Sequence, residues 1–419
     1  MQIISDLHIH SRHSRGCSIN LDIKNLERYA RVKGVNLLGT GDFTHPEWLK
    51  ELKKRLVDER DGIYYTANGF PFLLQTEIAL IYSQDGKGRR IHNVILAPSF
   101  DVVEQITEYL LKHGRVDYDG RPIFKIPCYE FVERLLDISK DIEVIPAHIW
   151  TPWFSLFGSN SGFNSVEECF KDRTKHIHAL ETGLSSNPAM NWRLSQLDKY
   201  SLVSFSDSHS YWPWRIGREA TVFDCDMIYK EIINAIRTRQ GLKMTVEVDP
   251  NLGKYHLTGH RNCGICMKPG DSKKIKDICP KCGRKLTVGV LERVEELADR
   301  PDVKPKDAVP YKALTPLSEL LSVAIGKAVA AKAVWSEYYK LVGRERSEFD
   351  VLLNLNLDEL KKLTTGKIAD LIIKNREGKI AIKPGYDGVY GVPLLSEDEK
   401  EGCYEIKDED IKQRNLTEF

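Results

Sequence analysis

The segment Asp6-Leu7-His8-Ile9-His10 puts a carboxylate and two imidazoles at every second position. On an extended strand, residues two apart share a face, so Asp6, His8 and His10 are expected to point into one cavity. Such a trio can hold a borderline divalent metal such as zinc, manganese or iron. A bare His-x-His is equally compatible with a surface histidine pair. The pattern recurs, however, where other apolar runs end. Asp207 and His209 follow Leu202–Phe205, His148 follows Glu143–Pro146, and Asp42 and His45 follow Leu37–Thr40. Glu77 begins one further apolar run and His92 opens another. Ligands gathered from the ends of different strands are how a barrel builds an active site on one face. Metals held there can lower the pKa of a bound water from roughly 15.7 toward ~7 and neutralise phosphate oxygens. The expected reaction is hydrolysis of a phosphate ester without a covalent enzyme intermediate.

A second constellation is Cys263-Gly-Ile-Cys266 and Cys279-Pro-Lys-Cys282, two CxxC knuckles separated by twelve residues. Four thiolates at this spacing can close a tetrahedral structural zinc site, with a redox dithiol as the rival reading. His256 and His260 lie close enough in sequence to substitute, but four cysteines make a complete set. Around the knuckles, Lys254–Lys285 carries nine Lys/Arg against two Asp, which suits a phosphate backbone. Trp150, Trp153, Phe154, Phe157, Trp192, Trp212 and Trp214, with Arg215 and Arg218, add rings that could stack on bases.

The elements that must position these residues follow from periodicity. Leu37–Thr40, Glu143–Pro146, His178–Glu181 and Leu202–Phe205 read as buried strands. Leu21–Lys33, Pro46–Arg60, Val102–Lys112 and Met227–Arg239 carry apolar residues at helical spacing. This alternation predicts a parallel α/β sheet or barrel. Glu77–Tyr82 and His92–Ala97 read as an inserted hairpin. Arg300–Pro316, with four prolines, reads as a linker. Helices are expected over Leu317–Val342 and Leu357–Leu363, then a strand pair at Ala369–Ile373 and Lys379–Ile382.

The chain has 419 residues, enough for about three folding units, and 42% hydrophobic against 29% charged residues, as in folded domains. A net charge of +1 excludes a globally basic DNA binder, so a nucleic acid has to be met by a local patch. No apolar run is long enough for a membrane span, and no basic leader precedes the histidine motif. Nine cysteines, four of them at metal spacing, argue against a disulfide-stapled secreted chain. A cytoplasmic location is expected. No Walker-type loop is present, so no ATP requirement is expected.

The ordered set DxHxH, Asp42, Glu77, His92, His148 and DxH resembles the PHP (polymerase and histidinol phosphatase) superfamily over residues 1–245. That resemblance implies an α/β fold, a distorted β/α PHP-type barrel with a cluster of up to three divalent metals (Zn, with Mg or Mn possible). Carried over by position, it puts Asp6, His8, His10, Asp42, Glu77, His92, His148, Asp207 and His209 in the catalytic site. His8, His10, Glu77 and Asp207 would serve one metal, Glu77 bridging to a second on His92 and His148. His209 would serve a third, with Asp42 and with His45 or His13 in place of the imidazole of the usual Thr-Asp-His, since this chain reads Gly41-Asp42-Phe43. With a four-cysteine zinc ribbon at 254–290 and a mainly helical C-terminal domain at 300–405 headed by Ala313-Leu314-Thr315-Pro316-Leu317, the whole chain resembles the endonuclease Q family. This implies nicking of DNA 5′ to deaminated bases (hypoxanthine, uracil, xanthine) and abasic sites. The alternatives are a phosphatase or exonuclease on small phosphate esters or DNA ends, and a DNA-binding scaffold with an inactive barrel. In the tail, 406–419, Gln413, Leu416 and Phe419 resemble the peptide that docks repair enzymes on PCNA-type sliding clamps.

Overall fold

Short runs rich in Val, Ile and Leu make the strands of the first 250 residues. They are β1 (Gln2–Asp6), β2 (Leu37–Gly39), β3 (Leu56–Arg60), β4 (Ile63–Thr66), β5 (Pro71–Gln84) and β6 (Lys87–Ala97), followed by β7 (Ile123–Phe124), β8 (Glu143–Pro146), β9 (Ala179–Glu181), β10 (Ser201–Val203), β11 (Ala220–Asp224) and β12 (Leu242–Glu247). The computed structural model describes residues 2–395 and 402–405. The clamp-type motif at Gln413, Leu416 and Phe419 lies outside the described residues.

β1 is parallel to β2 and β2 to β5, while β5 and β6 form a long antiparallel hairpin that passes the sheet on to β8. From β8 the wall continues through Ile149 N–H to the Glu181 carbonyl, 3.1 Å, into the parallel pair β9–β10. It returns to β1 where His10 N–H donates to the Ser208 carbonyl at 3.0 Å. The result is a distorted barrel, with antiparallel β11 and β12 beyond β1. Ile3, Leu7, Leu37, Leu73, Val94, Ile145, Ala179, Val203 and Phe205 form a buried apolar cluster on these strands. Each such side chain withdrawn from water contributes about 1.5–3 kcal/mol.

Helices Ile23–Lys33, Phe100–Leu111, Cys128–Ile138 and Tyr229–Thr238 pack outside. The helix expected over Pro46–Arg60 stops at Arg55 and gives way to hairpin β3–β4. Its turn is Asp61-Gly62, both residues at positive φ (52° and 80°), the backbone that a tight hairpin demands.

The ribbon region holds the pair β13 (Thr258–His260) and β14 (Ile265–Met267). Within the stretch expected to be a linker, β15 (Tyr311–Ala313) joins β12 in parallel and so stitches the C-terminal part to the main sheet. Helices Leu317–Ile325, Lys332–Leu341 and Leu357–Leu363 follow. The segment 369–373, expected as a strand, belongs to the helix Gly366–Arg376, capped by Thr365 accepting from Ile368 N–H. Ile368, Ala369, Leu371, Ile372 and Asn375 are its buried residues, spaced as one helical face rather than alternating. The terminal strand pair is instead β16 (Ala381–Lys383) with β17 (Val392–Leu394). Among the described residues, no helix is long and apolar enough to cross a membrane.

Candidate metal centre

The strand ends open onto one bowl. β1 stops at Asp6, and the chain runs on through an isolated parallel bridge between Ile9 and Ser208, with His8 and His10 on either side of it in the bowl. β5 brings Glu77, β6 brings His92, the end of β8 brings His148, and the loop after β10 brings Asp207. Asp42, His148 and Asp207 adopt positive φ (44°, 31° and 47°), a strained backbone that surrounding structure must hold. Gly183 leaves room for one of them, since a Cβ there would lie 2.6 Å from His148 Cβ.

One ligand atom each from His8, His10, Glu77 and Asp207 lies within 4.8 Å of the others, and the same holds for Glu77, His92 and His148. Glu77 is the shared member, and its two oxygens face opposite ways. Oε1 lies 2.7 Å from His92 Nδ1 and 3.2 Å from His148 Nε2. Oε2 lies 3.2 Å from His10 Nε2 and 3.6 Å from His8 Nε2. His8 Nε2 is buried without a hydrogen-bond partner, as an imidazole waiting for an ion would be. Nitrogen and carboxylate donors in this ratio fit zinc or manganese.

The electrostatics are those of charges driven together. Burial opposes charge on His8, yet Glu181 and Glu77 outweigh it and hold its pKa well above the usual imidazole value. His10 behaves alike through Asp42 and Asp207. Burial wins at His92, lowering it to about 4. Burial also works against ionised Glu77 and Asp207, but the histidines, with Arg121 beside Glu77, keep both well below the ordinary carboxylate range.

Four of the predicted barrel residues, Asp6, Asp42, His45 and His209, lie outside the ligand groups. Asp6 accepts from Ser206 N–H (2.9 Å), Ser206 Oγ (2.5 Å) and Gly217 N–H (2.8 Å), so it anchors the loop that carries Asp207. Of the trio expected to share one cavity, His8 and His10 join one ligand group, with Leu7 and Ile9 in the apolar clusters, and Asp6 does not. Asp42 bonds His10 Nδ1 (3.0 Å), Ser11 N–H and Oγ (2.6 Å each) and Ser14 Oγ (2.9 Å), so it orients His10. His209 packs its ring 4.4 Å from that of His10, and His45 stacks on His13 at 4.2 Å. Among the described residues, no three-ligand group includes His45 or His209.

Sequence reasoning missed Glu181 and Arg121. Glu181 bonds His8 Nδ1 at 2.9 Å and His148 N–H at 2.6 Å, fixing the tautomer and leaving His8 Nε2 for the bowl. Its place at the end of a predicted strand was the available signal. Arg121 lies in an irregular loop without periodicity.

In the ribbon, Cys263, Cys279 and Cys282 come together with His260, not with Cys266. His260 ends β13 and Cys266 centres β14, where Gly259 opposes it, so the tight pairing carries the Cys266 side chain toward Cys403. The basic patch is partly neutralised locally, Lys273 pairing with Asp277 and Glu296 and Lys274 with Asp271. Of the aromatic residues, Trp150 and Phe157 are core, whereas Trp212 and Trp214 stack at 5.0 Å and pack on Trp335.

Residues 316–379 match the family model described as the MJ0043 C-terminal domain. The protein MJ0043 of Methanocaldococcus jannaschii is 39% identical over 293 residues, 67% of this chain and 35% of that protein. The chain thus spans about a third of the length of that relative. YqxK of Bacillus subtilis is 28% identical over 413 residues, covering 93% of this chain and 98% of that one. The crystal structure of the lesion-specific endonuclease PfuEndoQ from Pyrococcus furiosus superposes with a TM-score of 0.85 at 32% identity, covering 99% of each chain. Endonuclease Q in complex with a 27-mer duplex bearing an abasic lesion at the active site gives 0.86 at 33% identity, over 97% of this chain and 99% of that one. With this likeness running almost from end to end of both chains, the protein belongs to the endonuclease Q family.

Proposed function

We propose that the chain is a metal-dependent DNA repair endonuclease that hydrolyses the phosphodiester 5′ to deaminated bases (hypoxanthine, uracil, xanthine) and to abasic sites. The observation that carries this reading is the pair of ligand groups sharing Glu77 at the mouth of the barrel. Ions bound there supply an activated water and offset charge on the phosphate. The protein's part is to hold the donors. Glu181 and Asp42 fix the imidazoles of His8 and His10, and Asp6 fixes the Asp207 loop. The duplex-bound relative supports DNA as the substrate. A cavity of about 270 Å³ between Leu184, Arg218 and the C-terminal residues Glu319 and Tyr390 supports reception of a nucleotide turned out of the helix. His260, Cys263, Cys279 and Cys282 would hold one structural zinc in the ribbon.

The test is a labelled duplex with a single uracil or hypoxanthine, incubated with and without chelator. Internal nicking on the 5′ side, absent from the undamaged duplex and abolished by chelator, is the expected outcome. Equal cleavage of damaged and undamaged strands contradicts the lesion reading, and trimming from the ends favours an exonuclease. Docking on a PCNA-type clamp through Gln413, Leu416 and Phe419 is part of the proposal. Deleting 413–419 should remove clamp binding while leaving nicking intact, and unchanged clamp binding would refute it.

A further inference from the structure

The loop Asp119-Gly120-Arg121-Pro122 supplies no ligand, yet it is fastened to the rim of the bowl. Gly120 N–H donates to the His13 carbonyl at 3.0 Å, Ala79 N–H donates to the Pro122 carbonyl at 3.1 Å, and Arg121 N–H donates to Asp119 Oδ1 at 3.1 Å. Gly120 sits so tightly that a Cβ would lie 2.2 Å from Asp42 Oδ2. Beyond the loop, β7 runs parallel to β5 with Ile123 beside Ala79. Carried two residues back, that register sets Arg121 beside Glu77 on the same face. Its Nη1 accordingly lies 3.0 Å from Glu77 Oε2.

Among the described residues this is the only hydrogen bond of the guanidinium, and the side chain is 25% exposed. One nitrogen of the fork therefore meets the shared carboxylate, and the side chain keeps access to solvent. Divalent ions held in both ligand groups would offset the charge of Glu77, which would leave the guanidinium able to take up an anion beside them. A guanidinium suits that anion, because its planar fork matches two oxygens of a phosphate.

We propose that Arg121 grips a non-bridging oxygen of the phosphodiester at the metal centre and stabilises the charge that grows there during hydrolysis. In that step a water oxygen bonds to phosphorus, and the bond from phosphorus to the leaving oxygen breaks. The leaving oxygen takes the electron pair and receives a proton derived from the water. Arg121 donates hydrogen bonds throughout and stays protonated. The proposal rests on the phosphodiester-hydrolase reading of this site, and its test separates the two.

The full chain carrying Arg121→Gln, Arg121→Lys or Arg121→Gly is compared with wild type by metal content, by calorimetric affinity of the metal-loaded protein for inorganic phosphate, and by kcat on the lesion duplex. Arg121→Gln should keep its metal and lose about 10- to 100-fold in phosphate affinity, with Arg121→Lys intermediate. Added guanidinium should restore nicking to Arg121→Gly and not to His8→Ala. Wild-type phosphate affinity in Arg121→Gln overturns the proposal, as does a loss that saturating metal reverses. If Arg121→Gln does not fold, Arg121→Lys must still lose affinity, and its failure to do so also overturns the proposal. Wild type that binds phosphate through Arg121 but cuts no duplex leaves the anion grip standing and sinks the hydrolase reading.

Discussion

His8 shows how a ligand is prepared before any ion arrives. Glu181 holds one ring nitrogen, so the other is buried, unpaired and aimed at the bowl. Asp42 likewise holds His10 Nδ1, while His10 Nε2 meets Asp207 Oδ1 at 3.1 Å. Asp42→Asn keeps the shape but replaces an oxygen that accepts from three donors, so metal affinity measured against a competing chelator should fall about 10- to 100-fold. His8→Ala should lose the site altogether, and wild-type affinity in Asp42→Asn would show that Asp42 orients nothing. Beneath the bowl, burial first and then the Glu181 charge push Glu247 up to about 7, against hydrogen bonds from Thr245, Thr182 and Ser204. A carboxyl raised above its ordinary 4.5 binds its proton more tightly folded than unfolded. Its stabilising share is whole below about pH 4.5 and is lost as pH climbs through about 7. Between those values the Tm of wild type should fall relative to that of Glu247→Gln. Parallel Tm curves for the two proteins would contradict the assignment.

At the scale of elements, the ribbon offers the sharpest test, because its structure departs from its spacing. His260→Ala should release the ribbon zinc and lower the Tm, whereas Cys266→Ser should retain the metal; the reverse pattern would restore the four-cysteine reading. The lock between barrel and C-terminal domain is a second test. Lys33 Nζ, at the end of the first helix, meets Glu348 Oε1 at 2.6 Å, both side chains essentially fully buried, and Tyr338 and the Leu317 N–H also donate to that carboxylate. Lys33→Met leaves a buried charge without its partner and should cost about 3–5 kcal/mol in denaturant unfolding. A loss below 1 kcal/mol would mean that the pair is not buried in solution. Elements built on regular alternation were legible: β8 and the helix Leu357–Leu363 match their sequence expectations residue for residue. Those that depend on tertiary context were not. Glycine and aspartate at Asp61-Gly62 signalled the β3–β4 turn, but the charged helical pattern before it masked the break. Ala369–Ile373, which ends in two β-branched residues, imitates a strand, and only the buried face of its helix shows the helical period.

For the whole molecule, the ligand residues could be read because strand ends leave a repeated chemical mark, histidine or carboxylate just past an apolar run. Asp6 and Asp42 carry the same mark but support the bowl from behind, a distinction of side-chain direction that residue types do not encode. Arg121 shows the converse, a placement imposed by register with no motif of its own. β15 and the Lys33–Glu348 pair join the C-terminal domain to the barrel, so the C-terminal helices and the ligand groups share one frame. The central claim is that this frame cuts DNA through ions held on Glu77. It is tested most directly by stripping the protein of metal, confirming an unchanged fold, and assaying a labelled duplex with one abasic site while metal is returned. Nicking on the 5′ side that is absent from the stripped protein and rises with bound metal in wild type, but not in Glu77→Gln, is the predicted result. Cleavage that persists without metal, or that Glu77→Gln restores to the wild-type level, would contradict it.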